Sequence, residues 1–422
     1  MLETLAEFKE LVQEYRQPPF STGVAELKEG ASSLFYAIDA STTGRIDFAN
    51  VTDTDLEKLA AACQPATFGR NQEDVLDEGY RKAGKLDAAN ISVQFTPHDL
   101  GVVDVIYNHL LRSAVDSKDR PINVEIYKLN VYGPGAFFKP HVDTPRSDKM
   151  FGSLVVVLPT VHEGGSLIFH WGDEDVSFDS AQAVKIQPTT AAFAVFASDI
   201  EHEVAPVTSG YRVTLTYNLY WEATAKNRPI VSVDAIERDG ALKESLQLLL
   251  KDPEFLPDGG ALGFALNHKY PFNPDSTRLQ NVLPWLKGPD AGLRELCKEV
   301  SLEVSLKAVY FDPDSGEDIL LDYFFGFNGD VSDSLVEHIV EMEQEGLVIY
   351  DPERVSEPER EESVALIWAR PLQKVNRFHS AYAAYGNEAS LEYAYGEVCL
   401  VATIPPASER IGSSDSSDMP SA

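Results

Sequence analysis

The stretch "KPHVDTPRSDKMFGSLVVVLPTVHEGGSLIFHWG", residues 139–172, decides the fold. It holds two short apolar runs, "FGSLVVVLPTV" and "GGSLIFHWG", separated by almost nothing. Both are rich in β-branched and aromatic residues and are bounded by Gly and Pro, which reads as consecutive strands. Working outward, the same texture runs from 119 to 222. "INVEIYKLNVY" and "FFKPHVD" precede the pair, and "AVKIQP", "TAAFAVFAS", "EHEVAPV" and "YRVTLTYNLYW" follow it. Eight short strands in about a hundred residues, with no helical spacers, point to a sandwich or jelly roll and away from a βαβ sheet.

The flanks read differently. Residues 1–118 are expected to be mainly helical: "TDTDLEKLAAAC" offers a Thr54-to-Glu57 capping box, and "TPHDLGVVDVIYNHLLRSA" offers Thr96 as N-cap with Pro97 at the first helical position. Residues 223–406 mix helical stretches such as "DGALKESLQLLLKD" with strand-like ones such as "GEVCLVATIPP", an α+β region. Residues 407–422, "SERIGSSDSSDMPSA" with the alanine before it, are low in complexity and expected to be a disordered tail. The fold class is therefore α+β: a jelly-roll (double-stranded β-helix) core at 119–222, N-terminal helices and a C-terminal α+β accessory region.

Of the 422 residues 44% are apolar and 24% charged, a globular composition. With 35 basic and 67 acidic residues the net charge is −32, a field that disfavours nucleic acid and anionic lipid as partners. No apolar run approaches a membrane span. The start, "MLETLAEFKELVQEY", is an acidic amphipathic helix without the features of a secretory signal. Cys63, Cys297 and Cys399 form no CxxC pair, so an intracellular, reducing setting, cytoplasmic or nuclear, is expected.

His141 and Asp143 alone fit a solvated loop as well as a metal site. His202 lies 61 residues later near the start of a strand, and Arg212 follows ten residues after it. One Asp and two His from different strands make the 2-His-1-carboxylate set, which leaves open positions on Fe(II). Two residues apart on a strand share a face, so Arg212 and Thr214 look into one space while Tyr211, Val213 and Leu215 look away. A buried arginine there demands an anion, either a ligand carboxylate or an acidic side chain. Tyr132, at a strand end beside Gly133-Pro134-Gly135, is either a phenol donor to that anion or a core tyrosine.

The ordered set Tyr132, His141-x-Asp143, His202 and Arg212 resembles the catalytic domain of Fe(II)/2-oxoglutarate dioxygenases, most of all the prolyl 4-hydroxylase-like branch. That branch commonly has Lys where this chain has Arg212. The resemblance covers about residues 120–222; the flanks "ALGFALNHKYPF" and "AYGNEASLEYAYGEVCLVATIPP" more weakly resemble fungal proteins carrying this domain. The resemblance implies Fe(II) on His141, Asp143 and His202, and the distal carboxylate of 2-oxoglutarate on Arg212, Thr214 and Tyr132. It implies O2 as oxidant, succinate and CO2 as products, hydroxylation of a prolyl or other protein side chain or of a small molecule, and ascorbate as an accessory reductant. Because Asp143 is present, hydroxylation is expected rather than halogenation.

Two alternatives stay open: a non-catalytic iron and 2-oxoglutarate sensor, and a cupin-like metalloprotein, against which Arg212 with Thr214 argues. Among the other histidines, His170 could line a channel or pack beside Trp171, and His162 reads as exposed. Lys139 and Arg146 bracket the H-x-D loop, where they could meet an anionic substrate or simply face solvent. Loop 143–152 is the expected place of substrate selection.

Overall fold

Antiparallel pairing of the apolar runs builds two facing sheets. The protein's structure, a computed structural model, describes every residue except 1, 29, 40, 71–72, 112–120, 148, 186–188, 223–233, 328–333, 356–359, 386–388 and 412–422. The chain forms two units, residues 18–231 and residues 1–17 with 232–422.

In the first unit the strands that matter here are β1 (Phe20–Glu26), β2 (Gln64–Pro65), β3 (Arg81–Lys82), β4 (Gly84–Asp87), β5 (Ile122–Tyr132), β6 (Phe137–His141) and β7 (Met150–Val157). They continue with β8 (His162–Gly164), β9 (Leu167–Trp171), β10 (Glu174–Phe178), β11 (Thr190–Ala197), β12 (Glu201–Val204), β13 (Val207–Gly210) and β14 (Arg212–Trp221). One sheet runs β1-β11-β7-β14-β5-β4-β2 and the other β10-β9-β12-β6-β3, with β8-β13 as a separate ladder. A core cluster joins the two large sheets: Tyr132, Ala194 and Phe196 from the first, and Phe138, Phe169 and Val204 from the second. In the first sheet β7 and β11 are largely apolar and are buried nearly throughout, as strands covered on both sides are, with Ser153 of β7 a polar exception.

Two expectations for residues 1–118 need correction. They are not mainly helical: β1 to β4 and a three-stranded sheet, Thr43–Asp47, Ser33–Ala37 and Ile91–Val93, occupy much of this region. These strands are only two to seven residues long, too short for period-2 alternation to stand out, while helix-start signals are conspicuous wherever they fall. The capping box is Thr52 with Asp55, not Thr54 with Glu57: Thr52 Oγ1 accepts from the Asp55 N–H at 3.3 Å, and the Asp55 carboxylate accepts from the Thr52 N–H at 3.2 Å. Thr96 makes the same reciprocal pair with Asp99 but closes only a turn; the helix begins at Val102, after Gly101 in the left-handed region. The expected strand at 183–188 is instead the end of a helical turn, Ser180–Ala183, with 186–188 outside the described residues.

Residues 1–17 belong with the second unit. In the helix Leu2–Glu14, Leu5, Phe8 and Val12 are buried at helical spacing, in one core cluster with Leu242, Leu246 and Leu249 of the helix Asp234–Lys251. Arg370, 1% exposed, donates to the Val12 and Tyr15 carbonyls at 2.8 and 3.2 Å, satisfying acceptors at the end of that first helix. The unit's seven-stranded sheet runs Gly260–Ala265, Ser363–Arg370, Leu347–Tyr350, Asp318–Leu321, Glu303–Phe311, Ala389–Ile404 and Arg377–Tyr385. A further pairing of Gly260–Ala265 with Ala389–Ile404 closes six of these strands into a ring, which removes two free edges. The tail expected at 407–422 starts with a short helix, Ala407–Ile411; residues 412–422 lie outside the described residues. No helix among the described residues is long and apolar enough to cross a membrane.

The cap assignment has a direct test. Thr52→Ala is expected to destabilise the 18–231 unit by about 1 kcal/mol, whereas Thr54→Ala leaves it unchanged, read by chemical denaturation.

Candidate metal centre

The register of two strands sets the centre. His141, the last residue of β6, stands directly opposite His202 on β12, with ring centroids 4.3 Å apart. Asp143 follows two residues later in the loop. One ligand atom from each of the three lies within 4.8 Å of the others, the only such group of His, Cys, Asp or Glu among the described residues. His202 is buried between exposed Glu201 and half-buried Glu203, so the strand's alternation turns both glutamates away.

Each ring is held by a backbone carbonyl: His141 Nδ1 lies 2.8 Å from the Lys139 oxygen and His202 Nδ1 3.1 Å from that of Ile200. A carbonyl only accepts, so Nδ1 carries the proton and Nε2 keeps its lone pair for a metal. Phe138 stacks on His141 with centroids 3.5 Å apart, and Phe196 lies 4.5 Å from His202. Burial, then the neighbouring His202, pushes the His141 pKa down to about 3. A metal arriving at neutral pH therefore displaces no proton from it. For Asp143 burial acts upward, but His202, His141, the Ser153 hydroxyl and Lys128 outweigh it and hold the carboxyl below its usual range. Ser153 donates to Asp143 Oδ2 at 2.5 Å, which orients the carboxylate.

A cavity of about 400 Å³ opens onto these groups, and all six expected site residues line it: Tyr132, His141, Asp143, His202, Arg212 and Thr214. Tyr132 pairs with Arg212, and Asn130 with Thr214, across the β5–β14 ladder. Arg212 is 1% exposed. Its Nε donates to Ser180 Oγ at 3.3 Å, its Nη2 has no hydrogen-bond partner, and no carboxylate among the described residues bridges to it. Burial lowers its pKa to about 10, with Tyr132 acting in the opposite sense. An acidic side-chain partner, one of the two sequence readings, is thus absent among the described residues. Gly165, at φ +72°, leaves room for the arginine stem: a Cβ there would stand 2.8 Å from Arg212 Cδ.

Several cavity residues were invisible in the sequence reading. Ser153 and Lys128 sit on inward positions of β7 and β5, recoverable in principle from alternation. Arg81, Tyr80 and Thr67 also line the cavity, but they come from the region expected to be helical and carry no signal of their own. His162 is buried, not exposed, with Nδ1 2.8 Å from the Thr160 carbonyl. His170 pairs with Asp175 at 2.6 Å and does not line the cavity; neither does Lys139, whereas Arg146 does.

Residues 127–220 match the family model described as the 2OG-Fe(II) oxygenase superfamily. No curated protein sequence matches the chain. Among solved structures, a Pseudomonas putida prolyl-4-hydroxylase is 19% identical, with a TM-score of 0.30, over 50% of this chain and 98% of its own. A prolyl hydroxylase from Trichoplax adhaerens, in complex with a hypoxia inducible factor oxygen degradation domain peptide fragment, is 16% identical, with a TM-score of 0.31, over 52% and 91%. The α-ketoglutarate-dependent epimerase SnoN from nogalamycin biosynthesis is 14% identical, with a TM-score of 0.27, over 53% and 86%. Likenesses this distant do not inform the substrate. The match of residues 127–220 makes that part of the chain similar to the 2OG-Fe(II) oxygenase superfamily, a family that works with Fe(II), 2-oxoglutarate and O2.

Proposed function

We propose that the protein is a 2-oxoglutarate-dependent hydroxylase on a jelly-roll core, with His141, Asp143 and His202 as iron ligands and Arg212, Thr214 and Tyr132 as the co-substrate anchor. The observation that carries this reading is the Arg212 guanidinium, buried, without a carboxylate partner among the described residues, and open to the same cavity as the three ligands. An uncompensated interior charge costs several kcal/mol, so a ligand carboxylate is the natural partner. Iron with 2-oxoglutarate and O2, when bound, supplies the oxidation: one oxygen atom enters a substrate C–H bond as hydroxyl, the other leaves in succinate, and CO2 is released.

The chain's own residues do the rest. The two backbone carbonyls fix the histidine tautomers, and Ser153 orients Asp143. Phe138 and Phe196 exclude water from one side of the centre. Arg212 with Thr214 fixes the far end of the 2-oxo acid, so that its reactive end is presented to the ligand set. Phe68, Tyr80 and Phe138, an aromatic group with centroids 4.6 to 6.2 Å apart, line the cavity as a wall for the substrate to lie against. Such a wall suits a prolyl ring or another compact side chain, or a small molecule. The loop after Asp143 is the place where selection is exercised; its Asp148 lies outside the described residues.

Two measurements test this. Purified protein given Fe(II), O2 and 2-oxoglutarate is expected to release succinate slowly even without a substrate, and Asp143→Ala to drop that release to the level of metal-free protein. Wild-type release by the variant would sink the ligand assignment. Ser153→Ala should weaken metal binding about ten-fold while the fold is retained, read by metal titration and circular dichroism; an unchanged affinity would remove Ser153 from the account.

A further inference from the structure

Three more cations line the cavity away from Arg212: Arg81, Lys128 and Arg146. In a chain of net charge −32, none of them forms a salt bridge to a carboxylate among the described residues, and the carboxylate that acts on Lys128 from further off is Asp143. Arg81 is 3% exposed; it donates to the Thr67 carbonyl at 2.7 Å and to Asn130 Oδ1 at 2.8 Å, both neutral, and its Nε has no partner. Lys128 Nζ lies 4.5 Å from the centroid of the Tyr127 ring, and Arg146 Cζ lies 5.2 Å from the same centroid. Arg146 Nη2 also donates to the Tyr127 hydroxyl at 2.5 Å.

The backbone is shaped to bring these groups in. The β5–β14 register slips between Ile126 and Lys128, leaving Tyr127 as a bulge. Without it two consecutive residues would face opposite sides of the sheet; with it Tyr127 and Lys128 both line the cavity.

We propose that the substrate offered to the metal centre carries a fixed negative charge, a carboxylate or a phosphate, that Lys128 and Arg146 receive beside the Tyr127 ring with Arg81 adding its charge. This rests on the hydroxylase reading for the meaning of "substrate", but the anion site stands on its own geometry. It is distinct from the Arg212 subsite. Arg212 pairs with Tyr132, four residues along β5 from Lys128, about 13 Å along a strand and more than a five-carbon diacid spans. The two strand positions are thus well separated, and competition between the anion and 2-oxoglutarate tests directly that the two subsites are separate.

The test is calorimetry on protein loaded with Mn(II) in place of Fe(II), without and with saturating 2-oxoglutarate, titrated with methyl phosphate and with acetate. At least one of the two anions is expected to bind alongside 2-oxoglutarate, and which one binds distinguishes a phosphoryl from a carboxylate substrate. K128Q and R146Q should each weaken that binding about ten-fold, the loss of one charge-assisted contact, and R146Q should leave 2-oxoglutarate affinity unchanged. Arg146 is exposed, so R146Q keeps the test alive if K128Q fails to fold. The proposal is overturned if neither anion binds, if the variants bind as wild type does, or if the anion competes with 2-oxoglutarate. Anion binding that depends on Lys128 in a protein that never binds 2-oxoglutarate would overturn the hydroxylase reading and leave the anion site standing.

Discussion

The antiparallel pairing of β6 with β12 is the constraint on which the centre depends. It sets His141 opposite His202, and the alternation of side chains along β12 then leaves no freedom. A slip of one residue would bring Glu201 or Glu203 inward and carry His202 to the surface. The register is held from both sides, because β12 also pairs with β9, where Phe169 stands opposite His202 and belongs to the core shared by the two sheets. The apolar core thus fixes the position of a polar group, and the carbonyls of Lys139 and Ile200 fix its proton.

A second constraint is electrostatic. The surface of this chain is strongly acidic, yet Arg212 and Arg81 are interior, and Lys128 and Arg146 also face the cavity. Folding that leaves cations without counter-charges is unfavourable and is tolerated where the surrounding structure over-determines it. The two cationic ends of the cavity differ in kind. Arg212 is held by a packed strand and a glycine that makes room for it, whereas Lys128 lies beside a bulge that adds the Tyr127 ring to the cavity. The first is suited to one invariant co-substrate, and the second to the group that distinguishes one substrate from another.

What could be read from the sequence follows from what physics writes locally. Arg212 and Thr214 were assigned a common face by strand alternation alone, and the structure has both lining the cavity while Val213 and Leu215 are core. His141, Asp143 and His202 were legible because their chemistry is unusual and their spacing suits successive strands. Arg81 was not, because β3 has two residues and shows no period. Lys128 could have been found by stepping back two at a time from Tyr132, but the Tyr127 bulge that brings its neighbour in has no local signature. The capping box was placed two residues late because Thr52 and Thr54 each have an acidic residue three positions on, and only the path of the chain decides between them.

The most direct measurement is calorimetric titration of 2-oxoglutarate, without O2, into the metal-loaded wild type and Arg212→Ala. The account predicts that the variant keeps its metal stoichiometry and loses about a hundred-fold in 2-oxoglutarate affinity, the loss of a bidentate charge-assisted contact. Equal affinity in the two proteins would contradict it, since the buried guanidinium would then have some other partner and the cavity some other purpose.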